Sequence, residues 1–464
     1  MSGTSTRDTT PGTVASNGEA PASGGATPSG NGPEPAAPAS DGATIRAEAA
    51  RLGSMLSEIA KIGADPEGGV SRLGFTPAER DAHDLVGGWL RDLGLEVRVD
   101  AIGNTIAERP GTADGTPAIG IGSHLDSVPH GGRYDGIVGV VGAVETVRLL
   151  TENGIDTAHP LRVVIFAGEE GARFGEPCIG SKIVTGELTE RDLSTMRDAA
   201  GVTLDEALRR ISFDPRKVGG ARWRRDAWAA FLELHIEQGR VLEVGGTPVG
   251  LVDVVSGSTR LRLEVSGRAD HSGGTPMAIR ADALAAAAEI ITHAEALARD
   301  PRNRGARLTV GRLEVHPNSI TTIPGRVRLT VDVRDVDSDR QRALAAAVVR
   351  HATELADRRG VQLAAERIAD TSPVVLPIWV RQLVAEASEA LGHRYRVMTS
   401  GAGHDAQVVN ALMPAGIVFV PSKDGVSHVP EEWTSASDIA RGVDVLYEAM
   451  LRLDRMLAAV GAES

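Results

Sequence analysis

Histidines and carboxylates recur in this sequence at one kind of address, just past a short apolar run. Ile121-Gly122-Ser123-His124-Leu125-Asp126 sets an imidazole and a carboxylate directly after a strand-like stretch, and Gly168-Glu169-Glu170 follows the run 163–167. His235-Ile236-Glu237-Gln238-Gly239 follows 231–234, and Ser427-His428 lies beyond 417–420. Asp135, in the glycine-rich loop 132–136 ahead of a helix, can turn back to the same spot. Functional crevices of open α/β sheets lie at the carboxyl ends of their strands, so a shared address of this kind points to chemistry. Imidazole and carboxylate donors without a thiolate suit a borderline divalent cation such as Zn²⁺, Mn²⁺ or Co²⁺. Two neighbouring cations would need a bridging carboxylate, and together they could clamp hydroxide and polarise a carbonyl. Glu169 and Glu170 cannot both ionise easily side by side without a cation or a retained proton. One as ligand and its neighbour as general base resolves that conflict. Taken singly, each residue has a plainer reading as a structural or solvated side chain; the coincidence of four clusters speaks against it.

These residues need a scaffold. Thr76-Pro77-Ala78-Glu79 reads as an N-cap, a first-turn proline and a capping-box carboxylate, followed by Leu85, Val86, Trp89, Leu90 and Leu93 at helical spacing. Strands are expected over 95–99, 118–122, 163–166 and 417–420, and helices over 138–150 and 380–391. The continuous run Val163-Val164-Ile165-Phe166 is of the kind buried on both faces of a parallel sheet. Between 250 and 368 the style changes. Alternating strands around Leu261, Leu308, Val327 and 361–368, with helices over 279–298 and 340–357, give the order β-α-β-β-α-β of a ferredoxin-like sandwich. The expected fold class is α/β: a catalytic domain with a central mixed sheet (43–249 and 369–464), interrupted by a smaller ferredoxin-like α+β domain (250–368). Residues 1–42, nearly free of large apolar side chains, are expected to be a disordered tail.

Composition narrows the function. The chain has 464 residues, with 49 Lys and Arg against 62 Asp and Glu, and a formal net charge of -13. No basic stripe is present, which argues against nucleic acid as a partner. No apolar run approaches the length needed to span a bilayer, and no secretory signal is apparent. Cys178, the single cysteine, can form no internal disulfide and is expected to be a bystander. The expectation is a soluble cytoplasmic protein.

The runs GSHLDSVPHGGRYDGIVGVVGAVE, FAGEEGARF, HIEQG, RADHSGGTPMAIRADA, PNSITTIPG, DVRD, SGAGHDA and VPSKDGVSH occur in this order over about residues 44–460. They resemble the N-carbamoyl-L-amino-acid hydrolase, β-ureidopropionase and allantoate amidohydrolase group, within the dinuclear metallopeptidase and amidase superfamily that also holds aminoacylases and dipeptidases. The resemblance implies two divalent ions per subunit: one held by His124, Asp135 and His235, the other by Asp135, Glu170 and His428, with Asp135 bridging. Asp126 would orient His124, and Glu169 would be the general base. HIEQG favours the carbamoyl-hydrolase branch. His271 would stabilise the oxyanion from the partner subunit of a homodimer whose interface is the 250–368 domain. Gln238 would contact the substrate, Arg334 would grip its carboxylate, and His404 and Asp405 would support the second metal.

Two departures stand out. Thr321 replaces a second asparagine usual in PNSITTIPG, leaving a hydroxyl where a carboxamide would contact substrate and oxyanion. Val429 follows His428 where asparagine is common. The implied reaction is hydrolysis of a linear amide or ureido bond in a small carboxylated substrate, most simply an N-carbamoyl-L-amino acid. The rivals are an allantoate amidohydrolase, an aminoacylase or dipeptidase of the same superfamily, and a metal-stabilised binding protein without turnover.

Overall fold

Four of the apolar runs lie side by side. In the computed structural model, which describes residues 45–462, Leu161–Phe166, Ala118–His124, Trp228–Ile236 and Ala415–Val420 are neighbours in that order and all parallel. They form the middle of a nine-stranded mixed sheet. Every residue of Ala118–His124 and of Ala415–Val420 is buried, which explains runs that are continuously apolar instead of alternating. Antiparallel Thr105–Arg109 and then Glu96–Val99 complete one side. On the other side Val249–Val255 pairs antiparallel with Ala415–Val420 and leads on to Val374–Val375 and Tyr395–Ser400. The tail expected at 1–42 lies outside the described residues.

Helices cover both faces of this sheet. Ile137–Glu152 and Ala436–Ala462 pack on one face with Ala49–Ile59 and Ile378–Ala390, around Val140, Val144, Leu234, Val443 and Leu446. On the other face Phe166, Phe231 and Trp228 form an aromatic layer in which Trp223 stacks on Trp228 at 4.0 Å. Removing the fully buried Phe166 ring by substitution with alanine would cost about 3–5 kcal/mol. Pro77–Asp92 starts as expected, with Thr76 accepting the Glu79 N–H at 3.4 Å. The Glu79 carboxylate, however, does not return to Thr76 to close a capping box. It accepts the N–H groups of Phe75 at 2.5 Å and Gly168 at 2.7 Å, tying the helix to the loop that carries Glu169. Among the described residues no helix is long and apolar enough to cross a membrane.

The smaller sheet is antiparallel, in the order Gln362–Thr371, Gly257–Ser266, Arg326–Asp335, Arg307–His316, with Ala283–Arg299 and Ser338–Arg359 on one face. Two helices on one face of this strand order make a ferredoxin-like sandwich. Val327, Leu329, Val331 and Val333 point into its core, while their alternating neighbours Arg328, Thr330, Asp332 and Arg334 line the opposite face. The first of its helices begins at Ala283, later than expected, because Met277–Ile279 is a separate 3₁₀ turn and the Asp282 carboxylate caps Leu284 and Ala285. Val249–Val255 is hydrogen-bonded into the large sheet, so the chain changes sheets at Ser256, past the expected division at 250. The returning strand runs to Thr371, beyond the expected 368. The fold is thus α/β with a central mixed sheet, interrupted by a smaller α+β unit.

Candidate metal centre and active site

His124 is the last residue of its strand and His235 the last but one of the neighbouring strand, so both imidazoles emerge at the same carboxyl edge. Asp135 approaches from the loop before Ile137–Glu152. That approach needs Gly136: its φ is +72°, and a Cβ there would lie 2.4 Å from His124 Nε2. Asp135 divides its two oxygens. Oδ1 lies 3.1 Å from His235 Nε2 and 3.8 Å from His124 Nε2, whereas Oδ2 lies 3.3 Å from His428 Nε2. His428 Nε2 is also 3.2 Å from Glu170 Oε2. The donor atoms of His124, Asp135 and His235, and those of Asp135, Glu170 and His428, each fall within 4.8 Å of one another. The Nδ1 atoms face away, His124 towards Asp126 Oδ1 at 3.3 Å and His235 towards the Ile236 carbonyl at 2.9 Å. This fixes which nitrogen is offered inward.

Burial pushes the Asp135 carboxyl up, but hydrogen bonds from His235 and His428 hold it well below its usual range. Burial opposes the charge on His124 and His235, yet Glu169 and Asp126 raise the first well above its ordinary value and Asp135 raises the second to about 8. His428, bonded to Asp135 and Glu170, is raised to about 11. Two groups of imidazole and carboxylate donors that share Asp135 form a set that divalent cations can occupy, and the residues therefore fit metal ions.

Asp126 supports the adjoining loop. Its Oδ1 accepts the Glu169 N–H at 2.9 Å and its Oδ2 the Glu170 N–H at 3.1 Å. Glu169 is buried, and burial, with the Glu170 and Asp126 charges partly offset by His124, raises it to about 7. Its Oε2 faces His124 Nε2 at 3.7 Å. Its Oε1 accepts a hydrogen bond from Cys178 Sγ at 3.2 Å. The expectation that Cys178 is a bystander is therefore corrected. Burial and the Glu169 charge push the thiol well above its ordinary value and keep it a donor.

Asp135, Glu169, Glu170, His235, His428, Gln238, Cys178 and Arg334 all line one cleft of about 330 Å³ between the two sheets. Gln238 Nε2 donates to Asp135 Oδ2 at 2.5 Å, and its Oε1 is buried without a partner. Arg334 donates through Nε to Asp332 at 2.9 Å and through Nη1 to the Gly401 carbonyl at 2.8 Å. His271 and Thr321 lie elsewhere. Both are exposed, they are joined through the Ser272 N–H to Thr321 carbonyl bond at 2.9 Å, and neither lines the cleft of its own chain. His404 packs edge-on against His235 at 4.5 Å and bonds Ser400 Oγ at 2.8 Å, while Asp405 accepts from Ser181 Oγ at 2.5 Å. His404 stands behind the His235 group instead of the His428 group, as a correction to the sequence expectation.

Glu432 was missed by sequence reasoning. Its buried carboxylate accepts the N–H groups of Tyr134 at 2.9 Å, Asp135 at 3.0 Å and His428 at 3.3 Å, and the Ser427 hydroxyl at 2.7 Å. One side chain thus holds two of the three loops that supply the second group of donors, those of Asp135 and His428. Glu233, also missed, accepts from Ser123 Oγ at 2.7 Å and the Ala406 N–H at 2.9 Å behind His235. The only sequence signal for it is a carboxylate in an otherwise apolar strand. Gln238 and His428 hold left-handed backbone, with φ of 56° and 64°, a strain of about 1–3 kcal/mol each that tends to persist at functional sites.

Residues 120–452 match the model of peptidase family M20/M25/M40. The chain belongs to this family. Among curated family relatives, the N-carbamoyl-L-amino acid amidohydrolase of Geobacillus stearothermophilus is 41% identical over 404 residues, covering 87% of this chain and 98% of the relative. The allantoate amidohydrolase of Bacillus subtilis is 35% identical over 395 residues, covering 85% and 95%. Of solved structures, a hydantoinase/carbamoylase family amidase from Burkholderia vietnamiensis superposes with a TM-score of 0.81 at 36% identity, covering 88% of this chain and 98% of that one.

Proposed function

We propose that this protein is a metal-dependent hydrolase that removes the carbamoyl group from an N-carbamoyl-L-amino acid or a related ureido acid. The observation that carries the reading is Asp135, whose two oxygens serve two donor groups beside a buried, protonatable Glu169. The relatives' names support the substrate class. His124, Asp135 and His235 would hold one divalent ion, and Asp135, Glu170 and His428 a second, with Zn²⁺, Mn²⁺ and Co²⁺ all suited to these donors. Bound there, such ions supply Lewis acidity, polarising a carbonyl and making water a stronger acid.

The chain's own residues do the rest. Glu169 Oε2, directed at the donor cluster, takes a proton from the attacking water while Cys178 steadies Oε1. The same carboxylic acid then returns the proton to the leaving nitrogen, and water plus the ureido acid gives the free amino acid, ammonia and carbon dioxide. Arg334 has donors left for a substrate carboxylate. The unpartnered Gln238 Oε1 is suited to a ureido N–H.

His271 and Thr321 fit a homodimer in which the smaller unit lends them to the partner's cleft. Exposed Met277, Ile279 and Ile320 beside them, and the exposed edge strand Arg307–His316, support that reading. Mixing His271→Ala and Glu169→Gln proteins tests it, since activity should return only if one subunit completes the other's site. Turnover after metal loading on N-carbamoyl-L-amino acids, β-ureidopropionate, allantoate, N-acyl amino acids and dipeptides tests the activity. Peptide hydrolysis without any ureido hydrolysis would overturn it.

A further inference from the structure

A second cavity of about 680 Å³ opens from the cleft and shares Gln238, Arg334, Ala402 and His428 with it. Its walls are cationic where the cleft is acidic. Arg307 is the cross-strand partner of Arg334, so both guanidinium groups project from the same face of the smaller sheet. Both converge on Gly401. Arg334 Nη1 donates to its carbonyl, and a Cβ there would meet Arg307 Nη1 at 3.2 Å. Arg396, on Tyr395–Ser400 of the large sheet, closes the cavity from the other domain.

Four other arginines on this face are matched, Arg260 with Asp332, Arg262 with Glu366, Arg312 with Glu314 and Arg328 with Glu264, and Arg326, which has no such partner among the described residues, does not line the cavity. Among the described residues Arg307 and Arg396 have neither an ion pair nor a hydrogen-bond partner, in a chain of net charge -13. The one carboxylate in the cavity wall, Glu237, is already engaged by the N–H groups of Val241 at 2.7 Å and Leu242 at 2.8 Å. Two unmatched guanidinium groups facing one cavity repel each other and attract an anion.

We infer that this cavity is the side-chain subsite and that it selects ureido acids bearing a second carboxylate, of the N-carbamoyl-L-aspartate or N-carbamoyl-L-glutamate class. This rests on the activity proposed above. Arg334 takes the α-carboxylate, and Arg307 and Arg396 take the side-chain carboxylate from opposite walls.

The test is kcat/KM of the metal-loaded, full-length protein on N-carbamoyl-L-aspartate, N-carbamoyl-L-glutamate, N-carbamoyl-L-alanine, N-carbamoyl-L-norvaline and allantoate. Wild type is compared with Arg307→Ala, Arg396→Ala and the double variant, with melting curves to check folding. A dicarboxylate should be preferred by about tenfold or more, and that ratio should fall about tenfold in the double variant. Equal or better turnover of the monocarboxylates or allantoate by wild type, or a dicarboxylate preference that survives the double substitution, overturns the subsite. Absence of turnover on every ureido compound would instead remove the proposed activity itself.

Discussion

Asp126, Asp135 and Glu169 are buried at the carboxyl edge of the nine-stranded sheet, like charges within reach of one another and of His124. On the open face of the four-stranded sheet, Arg262 and Glu366, or Arg328 and Glu264, stand in matched pairs with half or more of each arginine in solvent. The same residue types therefore do different work. Exposed matched pairs contribute little and tolerate change. Buried carboxylates of one sign cannot all stay ionised without positive charge beside them, from an imidazolium or from a bound cation. The contrast locates chemistry by imbalance: carboxylates crowd the acidic edge, and Arg307 and Arg396 face their cavity without a carboxylate partner among the described residues.

The largest expected effect comes from removing the residue that both donor groups share. Asp135→Ala should bind neither ion and reduce ureido hydrolysis to background, whereas Arg262→Ala should stay within about 0.5 kcal/mol of wild-type stability. Metal analysis and denaturant unfolding of the two variants would break the comparison if they behaved alike. Glu432→Ala strips the acceptor from three backbone N–H groups and should cost about 1–3 kcal/mol, with metal affinity lowered about 10–100-fold. A titration with Zn²⁺ that matches wild type would show that Glu432 does not hold the ligand loops.

A smaller effect is expected at Cys178. Loss of one hydrogen bond to Glu169 in Cys178→Ala should lower kcat by about 2–10-fold, leave KM near wild type, and be largely restored in Cys178→Ser. The smallest concerns the stacked rings of His293 and His351, 3.6 Å apart in the smaller unit. Burial and His351 lower the His293 pKa from its ordinary 6.5. The folded state therefore binds fewer protons than the unfolded one. The stability this contributes is present above pH 6.5 and is lost as the pH falls below it. His351→Gln should lessen that acid loss, read from unfolding midpoints at neutral and mildly acidic pH.

Much of this arrangement was legible in the sequence because burial leaves a mark on composition. Continuous apolar runs ending in His124, Glu169 and His235 told of parallel strands with a shared edge, and alternation at Val327, Leu329, Val331 and Val333 told of a one-sided sheet. What stayed hidden depends on contacts between distant segments. Glu432 resembles any carboxylate beside a glutamate and a tryptophan until it meets Tyr134 and Asp135. Cys178 resembles an inert thiol until its left-handed backbone, at φ 57°, turns it towards Glu169. Val249–Val255 straddles the division expected at 250 because sequence pattern does not reveal a strand's pairing partner.

In the proposed reaction Glu169 moves the proton while other residues hold two ions. Metal content and N-carbamoyl-L-amino-acid turnover of Glu169→Gln, measured on the same preparation, test it most directly. Glu169→Gln and wild type should each carry two metal equivalents per chain, with turnover of the variant lowered about 10²–10⁴-fold. Turnover close to wild type at full metal occupancy would contradict it.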